Sequence, residues 1–178
     1  MIRRLALPVL AVALAVPQAA LAADLPCLTP AEVTALSTYA LPGAIASAGK
    51  TCAPALPTTA WLPAHGAELA ARYDPGKQRA WPAAKAAFLK MSQATSPEAA
   101  VLFATMPDDS LRPMADAALS GIIASKVKPD ACPSIDRVFA LLSPLPAENT
   151  AELIALAVGL GSKAGEARLG RFSICKAS

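Results

Sequence analysis

The sequence predicts an all-α fold, a single compact bundle of seven or eight short helices held by two disulfides, and three observations carry that expectation. Alanine, the best helix former and a poor strand former, dominates a hydrophobic content of 54 %, while aromatic residues make up only 4 %. The 17 prolines, nearly double the usual share of about 5 %, argue against long helices and cut the chain into short segments. Four cysteines lie beyond an N-terminal export signal, in a compartment where disulfides persist.

That signal is the start of the chain. Met1-Ile2-Arg3-Arg4 is positive, Leu5 to Val16 is apolar, Pro17 breaks the run, and Ala20-Leu21-Ala22 places small residues where a signal peptidase cuts. The pattern predicts a cleaved signal peptide over residues 1–22 and a mature helical domain over 23–178, periplasmic or secreted. The apolar run is too short to span a membrane, and no stretch of about 20 apolar residues follows it, so no membrane span is expected in the mature chain. Without Arg3 and Arg4 the basic residues barely outnumber the 13 acidic ones. A nucleic-acid partner, which calls for a basic excess or a basic run, is therefore not expected.

The helices follow in order from local signals. Thr29-Pro30-Ala31-Glu32 is a capping box with proline at the first helical position, opening a first helix to about Tyr39. Pro42 opens a short second piece ending at Gly49, and Cys52 to Pro63 reads as an extended loop. A third helix spans about Ala64 to Tyr73. Asp74-Pro75-Gly76 then reads as a turn, because proline presets φ and glycine accepts a positive one. The fourth helix begins with Pro82 in its first turn and buries Trp81, Ala84, Phe88 and Met91 as one stripe. Ser96 caps a fifth helix through about Thr105.

Ser110 caps a sixth, with Leu111, Met114, Ala118 and Ile122 inward. Ser134 caps a seventh, with Ile135, Val138, Phe139 and Leu142 inward. Asn149-Thr150-Ala151-Glu152 opens the eighth, which is apolar nearly all round from Leu153 to Leu160. It is therefore expected to be the most buried element. The tail from Gly161 reads as irregular.

An even number of cysteines in an exported chain reads as a disulfide framework, and Cys27, Cys52, Cys132 and Cys175 allow three connectivities. The preferred pairs are Cys27–Cys52 and Cys132–Cys175, each contributing roughly 3–4 kcal/mol in the chain-entropy model. No two cysteines are close enough for a ligand pair and there is one histidine, so neither a metal site nor a cofactor is expected.

Chemistry-bearing residues are few. His65 is the only histidine, so any imidazole mechanism must use it. None of the motifs G-x-S-x-G, H-E-x-x-H, G-x-x-x-x-G-K-[ST] or G-x-G-x-x-G occurs. The interval Trp61 to Trp81 collects both tryptophans, His65, Arg72 and Tyr73. Aromatic faces beside charged groups suit a polar ligand with a flat apolar side, so Trp61, His65, Arg72, Tyr73 and Trp81 are the candidate ligand-binding residues. Core packing is the competing account, strongest for Trp81 with its helical stripe.

These residues rank a non-catalytic binding or interaction module first, with an unknown protein or small polar ligand as its partner. A small hydrolase or lyase acting on cell-wall or other polar extracytoplasmic material, using His65 or a carboxylate pair, ranks second. An inhibitor of an extracellular enzyme, presenting a loop with Pro54 and Pro57, ranks third.

Overall fold

The expected breaks at Pro42 and at Asp74-Pro75-Gly76 do not occur, and the consequence is a bundle of six helices built on two long ones. The computed structural model describes residues 27–163 and 174–175; the signal-peptide reading and most of the tail lie outside the described residues. Helix α1 runs over Pro30–Cys52 and α2 over Trp61–Thr95, followed by α3 (Pro97–Thr105), α4 (Asp108–Lys126), α5 (Cys132–Leu142) and α6 (Ala147–Lys163). A single 3-10 turn, Pro129–Ala131, leads into α5. Among these residues no helix is long and apolar enough to cross a membrane.

Two of the expected caps form, at Thr29 and Ser96. Thr29 accepts the Glu32 N–H at 3.2 Å, and Glu32 accepts the Thr29 N–H at 2.7 Å, which closes the capping box. Ser96 accepts the Ala99 N–H and starts α3 behind Pro97. Glu32 also takes Lys90 of α2 at 2.9 Å. Desolvation opposes its charge, but the Thr29 bonds and Lys90 outweigh it and hold its carboxyl below the ordinary value.

The prolines are overridden by burial. An interior proline costs about 3 kcal/mol, yet α1 buries Val33, Leu36, Tyr39, Leu41, Ile45, Ala48 and Cys52 along its whole length. Helix α2 buries Leu62, Leu69, Tyr73, Trp81, Ala84, Ala87 and Phe88, a stripe that continues through Pro75 and Pro82. At roughly 1.5–3 kcal/mol per large side chain, two such faces packed together outweigh the lost hydrogen bonds. Gly76 is a contact residue and not a turn residue: an added Cβ would sit 3.1 Å from the Ala147 Cβ and 3.6 Å from Thr38.

Two apolar clusters lie along this α1–α2 pair. One gathers Leu28, Val33, Leu36, Tyr39, Trp81, Ala84, Phe88, Leu111 and Ala115, with Phe103 and Met106 against it. The other gathers Leu41, Ile45, Cys52, Leu62, Leu69, Tyr73, Cys132, Ala147 and Ala151, with Phe139 and Ile154 against it.

The remaining helices correct several expected faces. Helix α4 starts at Asp108 behind Pro107, two residues before Ser110, and turns Leu111 and Ala115 inward while Met114 and Ile122 face out. Helix α5 starts at Cys132 and not at Ser134, and its Val138 is 51 % exposed. Helix α6 starts at Ala147 and is peripheral: Ala147, Ala151 and Ala155 pack inward, while Leu153 and Leu156 are 48 % and 58 % exposed. Small residues at i, i+4 and i+8 let α6 approach α1 closely, so the alanine side is buried and the leucines face outward. Leu156→Asp is accordingly expected to change the unfolding free energy measured in urea by no more than about 0.5 kcal/mol. A loss of several kcal/mol would restore α6 to the centre.

The disulfides also differ from the preferred pairing. They are Cys27–Cys175 and Cys52–Cys132, spanning 148 and 80 residues of sequence. Cys52 closes α1 and Cys132 opens α5, both fully buried. Cys27–Cys175 joins the segment before α1 to the C-terminal end, where Leu28 and Ile174 form a parallel bridge and the Cys175 N–H donates to the Leu28 carbonyl at 2.9 Å. No cysteine is free, so a maleimide added to the native oxidised protein is expected to leave its mass unchanged.

Candidate functional site

The five residues that the sequence singles out all lie on α2, and the structure does not bring them to one hollow. Trp61 and His65 occupy its first turns. Ala60 provides no side-chain cap; Asp136 of α5 supplies one instead by accepting the Leu62 N–H at 2.6 Å. Trp61 is half-buried against the Cys52–Cys132 cluster, and its ring centre lies 5.6 Å from that of the exposed His65. The His65 side chain makes no hydrogen bond among the described residues, so no carboxylate orients it as a base requires. Half-buried as it is, Trp61→Ala is expected to cost about 2 kcal/mol, below the 3–5 kcal/mol of a fully buried aromatic. His65→Ala should stay within about 0.5 kcal/mol. Thermal melts of the two variants beside the parent check both values.

Tyr73 and Trp81 belong to the interior, in different clusters. The Tyr73 hydroxyl sits 3.1 Å from Thr150 Oγ1 and 3.0 Å from the Leu145 carbonyl, pinning α6 and the turn before it onto α2. The Trp81 indole N–H donates to Asp108 Oδ2 at 2.6 Å, and Lys85 donates to the other oxygen at 2.7 Å. The Arg112 guanidinium lies 5.0 Å from the Trp81 ring centre, and the Tyr39 ring packs 5.0 Å away. Lys85 first, and Trp81 second, hold the Asp108 carboxyl below its ordinary value. Trp81 is thus the anchor of α4, with its polar atom already spent.

A different concavity exists, and it uses Arg72 and the edge of Tyr73. A hollow of about 330 Å³ lies between α2 and the α5–α6 connection, lined by Arg72, Tyr73, Gly76, Arg79, Pro144 and Glu148 among others. A second, of about 480 Å³, lies over α1, α2 and α6, lined by Ala31, Thr34, Ala35, Thr38, Arg79 and Glu152 among others. Both share Gly76, Arg79 and Glu148, so they adjoin, divided by the Arg79–Glu148 ion pair and by the close approach of Ala147 to Gly76.

The floor follows from sequence spacing. Ala31, Thr34, Ala35 and Thr38 recur at i, i+3, i+4 and i+7 on α1, and Gly76 and Ala80 are one turn apart on α2. Short side chains at Ala31, Ala35 and Ala80 leave the second hollow open, while at Gly76 the space is taken by Ala147 and Glu148. The two threonine hydroxyls donate to Pro30 and Thr34 carbonyls of their own helix, at 3.0 and 2.9 Å.

Charge is spread over both hollows. Arg72 lines the first, exposed, spending one guanidinium nitrogen on the Ser143 carbonyl at 2.5 Å and keeping its other donors. Glu152 lines the second, exposed and without a hydrogen bond or ion pair among the described residues. In between, the Glu148 carboxyl is held below its ordinary value, first by its own backbone N–H and then by Arg79.

Arg79, Glu148 and Glu152 were not among the sequence-derived site residues. The faint signal for them was the Glu148–Glu152 spacing of one helical turn together with the small-residue stripe of α1. Among the described residues no group of histidine, cysteine or carboxylate side chains is arranged to hold a metal ion. No family model, curated protein or solved structure matches the chain.

Proposed function

We propose that the protein is an exported, non-catalytic binding module that holds a small polar ligand in the hollow between α1, α2 and α6. The observation that carries this reading is the hollow itself. Its floor is apolar and three helices fix its shape, while Glu152 offers unspent charge at its edge beside the Arg79–Glu148 pair. Convergent polar groups around a mostly apolar concavity are the usual make-up of a ligand site. Arg79 and Glu148 neutralise one another, and a carboxylate kept ionised in this way accepts hydrogen bonds more readily than it delivers a proton. Export agrees with two disulfides in so small a chain, which persist in an oxidising compartment.

The test is a thermal-shift screen of four chemical classes: amino acids, short peptides, sugars and organic acids. Each is run against the parent and against Ala31→Trp, which places a bulky ring at an exposed position lining that hollow. A ligand that raises the melting temperature of the parent and not of a normally folded Ala31→Trp variant supports the reading. Equal stabilisation of both proteins, or none by any class, overturns it.

A further inference from the structure

We infer that the hollow between α1, α2 and α6 takes a small aliphatic amine, its ammonium at Glu152 and its carbon chain over the alanine floor. This rests on that hollow being the binding site and names the class of ligand that its lining accepts. Three charged side chains line it, the Arg79 guanidinium and the carboxylates of Glu148 and Glu152. Arg79 and Glu148 pair with one another. Glu152 has no hydrogen bond or ion pair among the described residues, so one negative charge in the lining is uncompensated. The three lysines of α2 are engaged elsewhere, Lys77 with Asp116, Lys85 with Asp108 and Lys90 with Glu32.

The uncharged polar atoms point to the same class. Thr34 and Thr38 line the hollow, and each hydroxyl donates its proton to a carbonyl of α1 one turn back, at 3.0 and 2.9 Å. A hydroxyl whose proton is spent keeps only lone pairs to offer. Apart from the remaining donors of Arg79, the unspent groups of the lining are therefore acceptors. An anionic ligand there meets two carboxylates and one guanidinium that is already paired. A sugar brings acceptors as well as donors and leaves the Glu152 charge unanswered. An ammonium brings three donors and no acceptor, and it answers the charge.

The body of the ligand follows from the floor. Ala31, Ala35 and Ala80 present methyl groups, and Ala147 closes over Gly76. The volume of about 480 Å³ lies in the lower part of the range for small-molecule sites, roughly 300–1,000 Å³. An unbranched aliphatic chain covers such a floor without asking it for hydrogen bonds. L-Lysine combines that chain with a terminal ammonium, and L-norleucine is its counterpart with a methyl end. The comparison of the two isolates the ammonium.

Titration of the full oxidised protein with L-lysine, L-norleucine and n-pentylamine, followed by its amide NMR shifts, tests the assignment. Lysine and pentylamine are expected to saturate in the millimolar range, with the largest shifts around Ala31, Ala35 and Glu152. Norleucine should bind about three- to fivefold more weakly than lysine, the factor that an exposed charge pair supplies. Glu152→Gln, which removes no hydrogen bond or ion pair among the described residues, should weaken lysine by the same factor and leave norleucine unchanged. In the thermal-shift screen, basic amino acids should then be the ligands that stabilise the parent and not Ala31→Trp.

Norleucine that binds as tightly as lysine overturns the amine assignment, as does pentylamine that does not bind or an equal penalty of Glu152→Gln on lysine and norleucine. If a sugar or organic acid binds in place of lysine and Ala31→Trp excludes it, the amine fails and the hollow stands. If lysine binds Ala31→Trp as well as the parent, or if nothing binds, the hollow and the amine fail together.

Discussion

Replacing Cys52 and Cys132 together by alanine is expected to lower the stability of the protein by about 4–5 kcal/mol in the chain-entropy description. The bond spans 80 residues of sequence, so without it the unfolded chain regains a large conformational freedom. A folded-state loss adds to this. Both sulfurs sit with Ile45, Leu62 and Leu69 in the second cluster, and the bond holds the end of α1 against the start of α5, where Asp136 caps α2. Urea unfolding of the two oxidised proteins measures the difference. A loss below about 2 kcal/mol contradicts this account and means that the unfolded chain is already restrained in this region.

Trp81→Ala is expected to cost about 3–5 kcal/mol. Trp81 is 2 % exposed and joins α1 through Tyr39 to α4 through Asp108 and Arg112. Its removal leaves a cavity and frees α4 at its first turn. Trp81→Phe keeps most of the volume and loses the indole hydrogen bond, so its cost should be nearer 1 kcal/mol. Near-ultraviolet circular dichroism with urea unfolding separates the two. The same junction carries a pH dependence. The folded-state pKa of Asp108 is depressed, so its contribution is present above the ordinary carboxylate pKa and is lost as pH falls through the folded value. Asp108→Asn should therefore be less stable than the parent at neutral pH, and the gap should narrow on acidification. A gap that stays constant with pH rules out this ionic latch.

What was legible in the sequence was local. The all-α class follows from alanine content. The caps at Thr29 and Ser96 follow from side chains that reach backbone groups three residues away, whatever the rest of the chain does. The stripe Trp81, Ala84, Phe88 and Met91 follows from the period of a helix.

The errors share one cause. Pro42 and Pro75 carry a local penalty that reads as a break, and Pro82 one that reads as a helix start, but the burial that overrides it comes from side chains on another helix. An all-round apolar α6 was ranked as central because sequence cannot show whether its alanines or its leucines meet α1. The buried alanines show that close approach decided it.

Disulfide pairing and the hollows were decided by tertiary structure alone. Cys27–Cys52 was the preferred pair, yet Cys52 lies at the far end of α1, 23 residues long, and a helix that continues through Pro42 carries the two cysteines roughly 35 Å apart at about 1.5 Å per residue. The continuity of α1 thus dictates the observed pairs. Arg72 and Tyr73 were singled out from composition, but the charged groups that both hollows share, Arg79 and Glu148, are 69 residues apart. They meet because Gly76 lets Ala147 at the start of α6 come close to α2. Sequence determined the helical class and how α1 and α3 begin. Packing of long apolar faces, a sum over many residues distant in the chain, determined where the long helices end, which cysteines pair and where the surface is hollow.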